Sequence, residues 1–136
     1  MKQLLFGFLT ITLLFSCSKT EEGFLGEWEG KVERLNSIGD LVEIDISCNI
    51  KSADDNNRNI SLSVGGTNYD FQALEEMDLL IYKDVPLNSD STIISYISGS
   101  AEILFDTILH FDHKVYSLKN NALLSQYSEA LDMVRK

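Results

Sequence analysis

At 136 residues, 44% of them hydrophobic, the chain suits one globular domain rather than two. Its 11 basic residues stand against 21 acidic ones, a net charge of −10. Such a surface repels nucleic acid and anionic headgroups and attracts basic proteins or cations.

The first sixteen residues read as a leader. Met1-Lys2 is a short positive start and Leu4 to Phe15 is an apolar run, too short to span a bilayer but suited to the core of a signal peptide. Leu14-Phe15-Ser16-Cys17 follows and resembles the lipobox of bacterial lipoproteins. That resemblance implies removal of residues 1–16 and attachment of diacylglycerol and a palmitate-type acyl chain to Cys17. Losing Lys2 with the leader leaves 10 basic against 21 acidic residues, a net charge of −11. Of the two cysteines, Cys17 and Cys48, only Cys48 then keeps a thiol, so no internal disulfide forms. Residues 17–23 make the lipidated cysteine and a polar tether. Six tether residues reach only about 20 Å when extended, which keeps the domain close to its membrane. Ser18 is not the aspartate that retains lipoproteins at the inner membrane, and Lys19-Thr20-Glu21-Glu22 resembles the acidic export signal of surface lipoproteins of the Bacteroidetes type. The expected address is the cell envelope: lipid-anchored at the outer membrane, with surface display ahead of a periplasmic-facing position.

Residues 24–136 read as a single domain. From Glu27 onward apolar residues recur with period two, the mark of half-buried antiparallel strands. Trp28, Gly30 and Val32 share one face of the first strand; Val42, Ile44, Ile46, Cys48 and Ile50 share one face of the second. Ile60, Leu62 and Val64 mark a third, Gly65-Gly66 a tight hairpin, and Tyr69 with Phe71 a fourth. Met77, Leu79 and Ile81 alternate on a fifth, which Leu80 and Tyr82 make apolar on both faces, and Val85-Pro86 through Ser91 predict a loop. Ile94 and Tyr96 predict a sixth strand ended by a turn at Ser98-Gly99-Ser100, and Ala101, Ile103 and Phe105 a seventh. Leu109, Phe111, His113 and Val115 predict the eighth. In the tail, Leu123, Tyr127, Leu131 and Val134 fall at helical spacing behind a cap at Asn120 or Asn121. The expectation is all-β, an eight-stranded antiparallel up-and-down barrel carrying a C-terminal amphipathic helix, with a two-sheet sandwich as the competitor.

Gly26-Glu27-Trp28 opens the first strand. With eight strands, a terminal helix and a lipid anchor, the chain resembles the small lipocalin-like (calycin-type) bacterial lipoproteins. Their glycine–x–tryptophan motif maps onto Gly26 and Trp28, implying a glycine that lets the chain curl under the barrel floor and an indole that plugs it. The family often packs a basic residue over that tryptophan. Lys114 is the expected candidate, since Arg135 falls in the presumed helix.

Chemistry is sparse. His110 and Asp112 project to one face of a strand and His113 to the other, so the three cannot converge on one metal without another element. They are weak candidates. Cys48 lies on an apolar face, where a thiolate is unfavourable. Ser98-Gly99-Ser100 lacks a nucleophile elbow, no phosphate loop is present, and Asp54-Asp55-Asn56-Asn57 lacks the later glutamate of a calcium loop. No cofactor is expected, and no enzyme. Two functions remain. One is a lipid-anchored binding module holding a small apolar ligand inside a barrel whose inward list includes Trp28, Val32, Ile44, Ile46, Ile60, Leu62, Phe71, Ile103 and Phe105. The other is a protein-interaction module, similar to a lysozyme inhibitor or an accessory subunit of a surface complex. It would present Glu27, Glu29, Glu33, Glu43 and Asp45 to a basic partner.

Overall fold

The computed structural model describes residues 23–87 and 92–136. The leader, Cys17, the tether through Glu22 and loop positions 88–91 lie outside the described residues. Eight strands follow in chain order: β1 (Gly26–Leu35), β2 (Leu41–Ser52), β3 (Asn57–Val64), β4 (Thr67–Glu76), β5 (Leu79–Pro86), β6 (Ile93–Leu104), β7 (Ile108–Lys119) and β8 (Ala122–Arg135). Each pairs antiparallel with the next and β8 returns to β1, so the sheet closes on itself. Closure gives every strand a partner on both sides, so none is an open edge along its whole length. The inner face carries the core, from Trp28, Ile46 and Ile50 through Leu62 and Leu80 to Phe111 and Leu131.

The up-and-down order puts alternate turns at opposite ends. The chain enters β1 at one end, here the floor, together with the β2–β3, β4–β5 and β6–β7 turns and the C-terminus. The β1–β2, β3–β4, β5–β6 and β7–β8 connections lie at the other end, the mouth.

Closure is uneven around the ring. Within β1–β4 and within β5–β8 the strands pair along most of their length. The two seams that join these half-sheets hold three residue pairs each. Trp28↔Arg135, Glu29↔Val134 and Gly30↔Met133 join β1 to β8, and Leu74↔Ile81, Glu75↔Leu80 and Glu76↔Leu79 join β4 to β5. Both short ladders sit at the floor. The molecule is thus barrel-like below and closer to a two-sheet sandwich above. Gly30 makes the first seam possible: a Cβ there would lie 2.4 Å from the Asp132 carbonyl oxygen, a clash that only glycine avoids.

Several expectations need correction. There is no C-terminal helix: residues 122–135 form β8, the strand that completes the ring. A spacing of four residues is even, so Tyr127 and Leu131 share a face on a strand as well as on a helix. Pairing with the whole of β7 then decides the outcome, because it satisfies an edge that a helix would leave open. Asn120 and Asn121 are not caps; both hold positive φ (51° and 62°) as the centre of the β7–β8 hairpin turn. Ser98-Gly99-Ser100 is no turn either, since it lies mid-β6, and the two strands expected on either side of it are one. The count of eight survives only because β8 replaces the strand lost by that merger. Of the two apolar faces of β5, the one carrying Leu80 and Tyr82 turns inward, and Val85 and Pro86 belong to the strand rather than to a loop. Met77 and Phe105 stand at the tips of turns, largely exposed.

Candidate functional site

The floor is built around Trp28, which is 1% exposed. Its Nε1–H donates to the Phe24 carbonyl oxygen at 3.0 Å, because the chain before β1 curls beneath the barrel. Gly26 permits that curl with φ of 120°, a region side chains rarely enter. Arg135 lies over the indole, its guanidinium carbon 4.2 Å from the ring centroid. One Arg135 nitrogen donates to the Leu25 carbonyl at 2.7 Å and another to that of Gly23. A cation on an indole face adds electrostatic attraction to packing, and the two carbonyls fix the incoming chain under the plug. Lys114, the expected basic partner, instead sits over Tyr116, 5.4 Å from its centroid.

Above the plug the interior changes character. Arg34 on β1 donates through Nε and Nη2 to Glu129 on β8, both at 2.5 Å, a bidentate pair across the β1–β8 seam above the point where strand pairing stops. The Tyr69 hydroxyl on β4 and the Tyr127 hydroxyl on β8 are 2.7 Å apart and link the two half-sheets. Burial, with the hydrogen bond to Tyr69, pushes the Tyr127 phenol up, so it stays protonated and able to donate. These contacts latch the mouth.

Beneath the latch lie Tyr82 and His113, 3% and 2% exposed. The Tyr82 hydroxyl and both His113 ring nitrogens have no hydrogen-bond partner among the described residues. They occupy β5 and β7, the strands that flank Gly99 of β6, which pairs with Tyr82 on one side and with His113 on the other. The Tyr82 ring packs on Phe71, centroids 4.7 Å apart, across the β4–β5 seam. Burial drives the His113 pKa down, Glu129 opposing and Arg34 adding to the effect. Burial likewise pushes the Tyr82 phenol up. Both are therefore neutral at physiological pH: a phenol that donates and accepts, and an imidazole that does one at each nitrogen. Buried polar groups left unpaired cost free energy, so this pair is unspent hydrogen-bonding capacity in an otherwise apolar core.

The outer wall holds the other candidates. His110 pairs not with Asp112 but with Asp132 on β8, Nδ1 to Oδ1 at 2.6 Å. No group of three potential metal ligands occurs among the described residues. Glu27, Glu29, Glu33, Glu43 and Asp45 do share the outer face of β1–β2, yet Lys31 sits among them and bonds Glu43 at 2.6 Å. Two open depressions run over this wall. One, of about 390 Å³, touches Glu27, Glu29, Asp70 and Lys136; the other, of about 930 Å³, touches Glu29, Lys31, Glu43 and Asp45. Cys48 is buried, and burial pushes its thiol up to about 12. Asp54 accepts from Asn56 and Asn57 in a self-contained turn, and those bonds hold its carboxyl below the usual range.

Sequence reasoning missed the latch. Arg34 and Glu129 stand 95 residues apart, and Tyr127 and Glu129 were assigned to a helix. His113 was placed on the correct face; the lack of a partner for it is a tertiary property. Comparisons with protein-family models, with curated proteins and with solved structures return no match.

Proposed function

We propose that the protein is a lipid-anchored, non-enzymatic binding module of the cell envelope, lipocalin-like in plan, with its ligand site in the mouth half of the ring between the two half-sheets. The observation that carries this reading is the buried, unpartnered Tyr82–His113 pair beneath the Arg34–Glu129 and Tyr69–Tyr127 latch. Trp28, Leu80, Phe111 and Met133 fill the lower interior, and Val64, Ile97 and Val115 are buried toward the mouth, so a guest reaches Tyr82 and His113 only by parting the half-sheets. A small molecule with an apolar body and one uncharged hydrogen-bonding group suits that site: neutral Tyr82 and His113 meet the polar group, and Val32, Ile44 and Val85 line the way. The floor supports the lipocalin-like plan, since Arg135 supplies the cation over Trp28 that such barrels often carry. Nothing around Tyr82 or His113 supplies a nucleophile, Cys48 being held as a thiol, which favours binding over catalysis. Native mass spectrometry of the domain without residues 1–17 tests the reading. A co-purifying small molecule, lost in Tyr82→Phe/His113→Leu, is the expected result; a bare protein mass from wild type counts against carriage.

A second reading rests on the outer depressions beside Glu27, Glu29, Glu43 and Asp45, which suit docking of a basic protein. Reversing Glu27, Glu29 and Glu43 to lysine abolishes capture of such a partner if this wall is used, and leaves it intact otherwise.

A further inference from the structure

The ring has four hairpins whose central residues both hold positive φ: Gly65-Gly66, Met77-Asp78, Phe105-Asp106 and Asn120-Asn121. Turns of this kind are built from glycine, asparagine and aspartate, which tolerate the left-handed region; large side chains do not. The two at the mouth obey the rule with Gly-Gly and Asn-Asn. The two at the floor break it at their first position, Met77 with φ of 51° and Phe105 with φ of 53°. Neither side chain recovers the cost by packing, because Met77 is 90% exposed and Phe105 86% exposed. Both turns point the same way as the chain entry at Gly23–Leu25, which Arg135 pins under the barrel floor.

The geometry points to the floor as a bilayer-docking face, with Met77 and Phe105 inserted at the headgroup–acyl boundary of the membrane that holds the lipid on Cys17. This rests on the reading of Cys17 as the lipidated residue. Two arguments select the occupant. The described chain begins beneath the floor at Gly23 and six residues after Cys17 can span at most about 20 Å, whereas a ten-residue strand such as β1, tilted as barrel strands are, lifts the mouth about 25 Å above the floor. The exposed Leu35, Ile38 and Leu41 at the mouth are therefore held away from the bilayer, and the floor tips against it. Asp78 and Asp106 beside the tips, with Asp54 and Asp55 in the turn at the same end, make the target a membrane of low net negative charge, since anionic headgroups repel them. Two side chains bind a vesicle weakly by themselves; on a tethered domain the effective concentration is high and they orient the molecule. Docked in this way, the mouth faces away from the membrane.

Methionine supplies the probe. The sequence has three, and loss of Met1 with the leader leaves Met77 at a tip and Met133 in the core. The mature lipoprotein is purified from membranes with methyl-labelled methionine and placed in phosphatidylcholine nanodiscs containing a lipid nitroxide-labelled high on its acyl chain. The expected result is an intact mass that includes acyl chains, a Met77 signal broadened away, and a Met133 signal that survives. Raising the anionic-lipid fraction restores Met77, and Met77→Asn/Phe105→Asn leaves the protein on the disc with a freely tumbling domain. An acylated mass with Met77 as sharp as Met133 overturns the docking face alone. A mass without acyl chains overturns the anchor and the docking face together.

Discussion

The two ends of this barrel are built on opposite terms. At the floor a tryptophan, an arginine and two three-pair ladders close the ring with buried surface and backbone pairing. At the mouth the half-sheets are held by side-chain bonds, Arg34 to Glu129 and Tyr69 to Tyr127, above two neutral polar groups without partners. Floor contacts rest mainly on buried apolar surface and backbone pairing, with Arg135 and the Arg58–Glu75 pair as their charged members, whereas the mouth seam is held by side-chain hydrogen bonds and an ion pair.

The largest effect is expected at the plug. Trp28→Ala removes the largest fully buried side chain of the floor and should cost about 3–5 kcal/mol in urea unfolding, where truncating a partly exposed mouth residue costs far less. Gly30→Ala tests the seam: its Cβ meets the Asp132 carbonyl at 2.4 Å, so a loss of about 2 kcal/mol is expected, with β1–β8 amide exchange accelerated down to the floor. An unchanged melting profile would remove the seam from the account.

Arg34→Ala acts on the latch. Its partner Glu129 has a side chain only 11% exposed, but that of Arg34 is 32% exposed, so screening limits the cost to about 1 kcal/mol. Exchange should rise in residues 31–35 and 122–130 and stay unchanged at Trp28 and Met133. The same opening at both ends would deny that they are independent. His113 gives the ring a pH dependence. Its pKa is lowered by burial from the ordinary 6.5, so as pH falls through that value the unfolded chain takes up a proton that the folded chain refuses. Stability should therefore decline with falling pH below about 6.5 until the folded site protonates, and His113→Leu should flatten that slope in thermal melts. The smallest effect has the opposite sign. Met77→Asn relieves a left-handed methionine and should stabilise the soluble domain by about 1 kcal/mol, measured by urea unfolding, while weakening attachment of the floor to lipid.

Much of the fold was legible in the chain. Period-two patterning located β1 to β4 and the inward face of β7, down to Leu109, Phe111, His113 and Val115, all buried. It failed where local signals are ambiguous. Ser98-Gly99-Ser100 has turn composition but lies mid-strand, and Gly99 is there because a Cβ would meet the Asp112 carbonyl at 2.3 Å, a requirement of the neighbouring strand. Met77 and Phe105 carry the apolar signal of a core and occupy turn tips. Of the candidate site, Gly26 and Trp28 were singled out through a family resemblance carried by two residues. Arg34, Glu129, Tyr69 and Tyr127 could not, because nothing within a few residues of any of them indicates its partner.

By itself, then, the sequence determined an all-β chain, which residues of its first half turn inward, and a tryptophan with a glycine at the start of the first strand. Side-chain alternation and turn chemistry are properties of neighbouring residues, and neighbours suffice to read them. Only the tertiary structure decided that residues 122–135 extend rather than coil, that Arg135 rather than Lys114 covers the indole, and that the ring is tight at one end and latched at the other. Each of these turns on pairing between segments distant along the chain, where backbone groups left open by one strand are satisfied by another.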